Sequence, residues 1–314
     1  LKREEAGPDI AFIGYPPIES AWVMSSWLKK RSIPILLDVK DLWPSIFIEY
    51  FPVLLKPIAR VLFFFYFYLA KTTMKNANGI STMSESYLKW ALTFSGKEES
   101  ESDKIVRLTS IFSHFSQKNI DLSLEWWKKK GVIDGSNKIF FIGTFSSSFD
   151  FHQIYIAASK LNECQFILCG DGPELPQIKY MMRHLSNVIF PGWIDEVKVK
   201  SLSQMSIASI APYNNIENFS LNIPNKIVDS LILGLPILTP LKGEVEKLIE
   251  QHDIGFVYGP NLALSQCIES LINNNDLQKE ISMNSKNLYK SEFEYHLVYG
   301  GLVKHLEYIK NINS

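Results

Sequence analysis

The chain reads as an α/β protein of two Rossmann-like, doubly wound units, the first incomplete and the second complete. Two observations predict this. Short β-rich runs that are apolar on both faces recur along the 314 residues, and each is followed by a helical pattern. Strands apolar on both faces belong to a parallel sheet covered by helices on both sides. The length is also enough for two ordinary domains.

The elements follow in order. In the first part the candidate strands are 9–14, 33–39, 79–83 and 104–108, with helices over 19–30 and 53–76. In the second part the strands are 138–142, 165–169, 188–190, 207–211, 236–239 and 255–257. Helices between them cover 151–161, 175–185, 197–205, 226–233 and 245–250, and a last helix covers 302–311. Strands separated by helix-length patterns mean strand–helix–strand units. Six strands complete a doubly wound unit, whereas the first part, with four, is expected to lack its initial strands. The opening Leu1–Asp9 reads as the end of a loop or helix, so the chain is expected to start in mid-domain. The expected domains are 1–112, a linker over 113–137, 138–290, and 291–314 crossing back to the first domain. The linker is polar, with Gly131, Gly135 and the run Lys128–Lys130.

Composition narrows the function. Hydrophobic residues make up 46% and charged residues 21%, a globular balance. The net charge of -1 makes nucleic acid a poor partner. Three cysteines, Cys164, Cys169 and Cys267, are too few for a disulfide framework and suit a reducing cytoplasm. They and the six scattered histidines show no metal-ligand spacing, so no metal and no cofactor are expected.

The segment Ile223–Leu238 (IPNKIVDSLILGLPIL) carries the sharpest chemistry. Pro224, with its preset φ, and Asn225, as a capping side chain, suit a helix start, and Gly234 with Pro236 ends it. Lys226 and Asp229, three apart, share one face near the positive helix end. That end with a lysine is a site for a diphosphate, and the acid one turn on can take ribose hydroxyls. The alternative is a capped helix with a surface Lys–Asp pair.

Around it stand, in order, FIGTFSSSFDF (Phe141–Phe151), ILCGDGPE (Ile167–Glu174), IFPGWIDEVKVKSLSQMSIASIAPY (Ile189–Tyr213) and KGEVEKLIEQHDIGFVYGP (Lys242–Pro260). This series resembles the donor domain of retaining GT-B glycosyltransferases of the family 4 type, most of all the branch that builds bacterial surface polysaccharides. The resemblance covers 138–260 and implies two Rossmann-like domains facing a cleft. It implies transfer of a sugar from a UDP- or GDP-linked nucleotide-diphosphate sugar to a glycan or lipid-linked acceptor, without a metal. By the same resemblance Gly143 and Thr144 lie along the donor phosphate or sugar. Gly170, Asp171 and Gly172 form a turn beside the base or sugar, and Trp193 and Ile194 hold the base. Tyr213 lines the same site, Lys226 pairs with the diphosphate, and Asp229 binds the ribose as the second acid of the E-x7-E motif.

The sequence departs from that pattern at two places. The first acid falls on Leu221; Glu217, in ENFS, either supplies it from a longer loop or is a plain surface residue. The loop after the first donor-domain strand lacks the Arg and Lys that the family often has, which shifts the charge work to Lys226.

In the first part DVKDLWP (Asp38–Pro44) resembles the RDLWP segment of that branch. Lys40 and Asp41 are candidates to face the acceptor or the transferred sugar; equally, Asp41 caps the next helix and Trp43 packs on it. Tyr15–Pro17 and the Ser84–Glu85 turn end neighbouring strands, and Ser84 with Glu85 also fits a helix cap. Val61–Ala70 is ten apolar residues without a charge, too short to span a bilayer. With Lys56, Arg60, Lys71 and Lys75 around it, 53–75 suits a helix lying in a membrane surface, the competing reading being a packed helix. The reading that follows is a cytoplasmic glycosyltransferase, peripheral on the inner face of the membrane. The competing one is a truncated, non-catalytic nucleotide-binding or partner protein.

Overall fold

The computed structural model describes residues 7–313; the first six residues of the opening stretch lie outside them. The chain divides into two compact units. The first holds residues 7–108, Leu221–Ile223 and 295–313, and the second holds Thr109–Ser220 and Pro224–Glu294.

The first unit runs β1 (Ala11–Tyr15), α1 (Ile18–Lys29), β2 (Ile35–Val39), α2 (Ser45–Glu49), α3 (Lys56–Leu62), α4 (Phe64–Asn76), β3 (Gly79–Thr82), α5 (Glu85–Ser95) and β4 (Lys104–Ile105). Its sheet is parallel, in the order β1-β2-β3-β4. Alternate residues of β2 serve opposite faces, as the two-residue strand period requires. Ile35, Leu37 and Val39 pack with α1, α4 and α5, while Leu36 and Val106 meet Leu302 and Ile309 of the last helix.

The expected helix over 53–76 is not continuous. A 3₁₀ turn (Val53–Leu55) precedes α3, and the chain bends by 67° between Val53–Leu62 and Phe64–Asn76. Phe63, at φ -90° and ψ 7°, leaves the helical region there. Its ring lies 5.6 Å from that of Phe47 and 6.2 Å from that of Tyr66. Aromatic packing at the bend stands in for the Pro or Gly of an ordinary kink.

The second unit opens with α6 (Gln117–Lys129), then β5 (Asn137–Ile142), α7 (His152–Lys160), β6 (Cys164–Cys169), α8 (Leu175–Met181), β7 (Val188–Gly192), α9 (Glu196–Met205) and β8 (Ala208–Ile210). It continues with α10 (Glu217–Ser220), α11 (Asn225–Leu233), β9 (Ile237–Thr239), α12 (Glu244–His252), β10 (Gly255–Val257), α13 (Leu264–Ile272) and α14 (Asn275–Leu288). All pairs are parallel, in the order β10-β9-β8-β5-β6-β7. Phe166 and Leu168 of β6 enter one core with α7 and α13; Ile167 and Cys169 enter the other with α6 and α9. The helix α15 (Tyr295–Ile312) groups with the first unit, where the His305 ring meets the Ser102 carbonyl at 2.9 Å.

Within the stretch 113–137, read as a linker, α6 is a folded part of the second unit. Its Trp127 is fully buried, and the indole N–H donates to Ser201 Oγ at 3.0 Å. The polar surface of this amphipathic helix hid the apolar stripe in a composition-based reading. The three cysteines are free and buried; burial pushes the Cys164 thiol up to about 12 and the Cys267 thiol up to about 11.

Candidate functional site

In the second sheet the strand order reverses between β5 and β8, because the chain winds outward from β5 in one direction and from β8 in the other. A crevice opens outside the carboxyl ends of such strands. Gly143 and Thr144 follow β5, Gly170–Gly172 follow β6, Trp193 and Ile194 follow β7, and Tyr213 lies just beyond β8. Backbone bonds knit these turns together. The Gly143 N–H donates to Cys169 O at 3.0 Å, the Phe145 N–H to Asp171 O at 2.9 Å, and the Gly170 N–H to Gly192 O at 2.9 Å. The packing demands glycine. At Gly170, with φ +127°, a Cβ lies 1.8 Å from Gly143 O, and at Gly172 a Cβ lies 2.4 Å from Phe145 O.

The helix α11 starts at this crevice. Pro224 occupies the cap position at φ -67° and ψ 157° and has no side-chain acceptor to offer. Asn225 is therefore the first helical residue, not the capping residue expected of it, and it is exposed. Pro224 makes no side-chain cap bond, the Ile227 N–H turns back to Pro224 O at 2.9 Å, and the exposed Asn225 stands at the positive end of the helix dipole. From the second helical residue, the Lys226 ammonium reaches back to donate to the carbonyl of Ile142, the last residue of β5. It also lies over the rings of Phe141 and Phe149, at 5.0 and 5.3 Å from their centroids. A Cβ at Gly143 falls 2.2 Å from Lys226 Nζ, so the glycine is what lets the ammonium sit there.

Burial removes water from this ammonium and lowers the Lys226 pKa to about 8, with the Asp229 charge opposing. Asp229 accepts a hydrogen bond from Ser110 Oγ. Burial raises its carboxyl pKa, opposed by the Ser110 bond and the Lys226 charge. Lys226 and Asp229 line one cavity of about 270 Å³, with Ile142, Val199, Phe112 and Glu196 among its walls. The cavity is a few polar groups set in an apolar lining, as small-molecule sites are.

Glu196 and Ser110 escaped the sequence reading. In the sequence Glu196 follows Asp195, which does cap α9 by accepting from the Lys198 N–H at 3.0 Å. Its place in the sequence is that of a first-turn acid of α9. In the fold it accepts from both the N–H and the hydroxyl of Ser113, the latter at 3.0 Å. Only tertiary structure brings residues 110–113 onto this cavity.

The other candidates take varied places. Tyr213 is buried with its ring 4.7 Å from Phe149 and 4.8 Å from Phe219, and burial raises its phenol pKa. Thr144 is exposed. The Asp171 carboxylate is also exposed and accepts the Gly172 N–H at 2.8 Å. Trp193 is 62% exposed, while Ile194 packs toward the cluster around Trp127. Glu217 is exposed at the start of α10. The adjoining loop is held where Asn215 Oδ1 accepts from Ser220 Oγ at 3.1 Å and from the Lys242 N–H at 3.2 Å.

In the first unit Lys40 follows β2. Its ammonium lies 3.1 Å from Asp38 Oδ1, which also accepts from Ser81 Oγ at 2.8 Å. Asp41 is half-buried. The cap position of α2 belongs to Pro44, which makes no side-chain cap bond. Trp43 packs as the alternative reading expected, with its ring 4.8 Å from that of Phe47. Ser84 does cap α5, accepting from the Tyr87 N–H at 3.1 Å, and it donates to Leu221 O. Leu221 itself packs with Leu42, Met83 and Tyr87, so an apolar contact occupies the position of the first acid. Among the described residues no group of three His, Cys, Asp or Glu side chains is placed to hold a metal ion.

A family model described as glycosyl transferases group 1 matches residues 123–288, more than half of the chain. Among solved structures, the chain is similar to Anabaena HepE in complex with UDP and glucose. The TM-score is 0.71 at 16% identity, over 94% of this chain and 77% of that one. It is similar to sucrose-phosphate synthase from Thermosynechococcus elongatus, with a TM-score of 0.71 at 13% identity over 96% and 74% of the two chains. It is also similar to WaaG, a glycosyltransferase involved in lipopolysaccharide biosynthesis, with a TM-score of 0.65 at 13% identity over 95% and 87%. At such identities the likeness is one of fold, the GT-B fold. No curated protein matches the chain in sequence.

Proposed function

The chain belongs to the glycosyl transferases group 1 family, and from that premise we propose a retaining, family 4-like transferase. In this reading it moves a sugar from a nucleotide-diphosphate sugar to a glycan or lipid-linked acceptor of a cell-surface polysaccharide, at the cytoplasmic face of the membrane. One observation carries the donor assignment. A helix without a side-chain cap starts at the strand-order reversal, and its desolvated lysine and its carboxylate line one cavity.

The diphosphate sits at the start of α11, where backbone N–H groups and Lys226 take the charge that grows as the sugar departs. No metal is assigned to this step. Gly143 and the Gly170–Gly172 turn let backbone approach the donor. Asp229 exchanges its Ser110 hydroxyl for ribose hydroxyls. Trp193 lies beside the base, Tyr213 supports the sugar end of the site, and Glu217 acts as the first acid over the sugar. Lys40 and Asp41 serve the acceptor. HepE, solved with UDP and glucose, favours UDP over GDP as the base to try first.

Calorimetry with UDP, GDP and their sugars tests this on wild type and Asp229→Ala. The expected result is binding of one diphosphate that weakens at least about tenfold, or ~1.4 kcal/mol, in the variant. A folded sample that binds none removes the donor assignment. Binding without sugar transfer to any lipid-linked glycan leaves the non-catalytic binder as the better reading.

A further inference from the structure

The segment between α2 and the middle of α4 is the least protein-covered part of the described chain. Of the 24 large hydrophobic residues exposed among all the described residues, ten fall from Tyr50 to Tyr68. Leu54 is 90% exposed, Val61 75% and Phe65 62%. Both helices are one-sided. In α4, Leu69, Ala70 and Met74 are buried toward the sheet while Phe64, Phe65 and Tyr68 face outward; in α3 only Ala59 is buried. The packed-helix reading thus accounts for one face and leaves the other bare. Apolar exposure this concentrated marks an interaction site.

The charges say what covers it. From Tyr50 to Ser84 the only charged residues are Lys56, Arg60, Lys71 and Lys75. This all-cationic stretch stands in a chain of net charge -1. A second copy docked here by a twofold axis sets cations against cations. An anionic lipid surface satisfies both features, since headgroups meet the basic side chains and acyl chains meet the apolar ones. Among the described residues no single helix is long and apolar enough to cross a membrane, and the bend at Phe63 divides the segment.

We propose that Tyr50–Tyr68 is a membrane-docking surface that lies in the headgroup boundary of an anionic bilayer, held there by Lys56, Arg60, Lys71 and Lys75. The surface begins nine residues after Asp41 and sits on the same unit. This contact stands apart from the donor-site reading.

The test is co-sedimentation of the whole chain with phosphatidylcholine vesicles, with and without phosphatidylglycerol. Binding is expected to be at least about tenfold tighter to the anionic vesicles and to weaken with salt. The pair Val61→Ser and Phe65→Ser should lower it about tenfold, and Lys56→Glu with Arg60→Glu should abolish the preference for anionic lipid. All four positions are outside the buried core, so unchanged melting and UDP affinity certify that the variants are folded. Folded protein that binds neither vesicle, or binds both equally well after the serine changes, overturns the proposal. So does concentration-dependent dimerisation that the serine pair removes. If wild type binds no UDP, only the donor reading falls, because melting still reports folding and the vesicle result stands.

Discussion

Lys40 and Lys226 each bring an ammonium to the carboxyl end of a parallel sheet, one in each unit. Lys40 faces Asp38 at 3.1 Å, in a group that also ties Ser81 and the Val106 carbonyl. Its charge is balanced inside the protein. Lys226 instead rests on a carbonyl and two ring faces, and burial draws its pKa down to about 8. Its charge is poorly solvated, and an arriving diphosphate would relieve it. The contrast separates a lysine paired with a carboxylate from one that, in the proposed reading, waits for the diphosphate.

The largest expected effect is on donor binding by Lys226→Ala. Loss of a charge-assisted bond of ~1.5–3 kcal/mol predicts a fall in UDP affinity of roughly 10- to 150-fold by calorimetry. Equal loss in Lys40→Ala would break the contrast. Next comes pH. Only the protonated lysine pairs with a diphosphate, so affinity should fall about tenfold from roughly pH 7 to 9, across the pKa of about 8. A bound anion raises that pKa, so binding near pH 8 should take up a proton, which calorimetry in buffers of different ionisation enthalpy can read. Stability runs the opposite way. The folded pKa lies below the unfolded 10.5, so the unfolded chain holds more protons between about 8 and 10.5, and this group's contribution to stability rises with pH over that window. A melting temperature that falls in parallel with affinity would point to general unfolding instead.

Gly143→Ala comes third. Its Cβ forces Lys226 Nζ, 2.2 Å away, to move, at a backbone φ of +158° that side chains rarely adopt, and UDP affinity should drop several-fold together with a lower melting temperature. The smallest effect is that of Lys40→Ala on UDP affinity, expected within about twofold, while transfer to acceptor slows; exposed or partly exposed ion pairs contribute only ~0–1 kcal/mol.

Much of this was legible in the residues. The strand over 255–257 falls where the apolar run put it, and the run at 165–169 gains only Cys164. Two-faced burial writes itself as an unbroken apolar run, which needs no tertiary knowledge to read. The Lys226–Asp229 spacing on one helical face was equally local. The break at Phe63 was not legible, because no Pro or Gly marks the bend and the ring of Phe47, sixteen residues away, packs there. The role of α6 was hidden for a similar reason, since Trp127 is buried only because Ser201 and Leu202 of α9 meet it.

By itself, then, the sequence determined the strands of both sheets and the helices that link those of the second, where glycines permit tight turns, and which polar residues share a helix face. These follow from side-chain periodicity and backbone sterics over a few neighbouring residues. Tertiary structure alone decided the proton affinity of Lys226, the meeting of Ser110 with Asp229 and of Ser113 with Glu196, and the bare apolar face of 50–68. Desolvation and exposure depend on what the rest of the chain places nearby, and no local pattern carries that information.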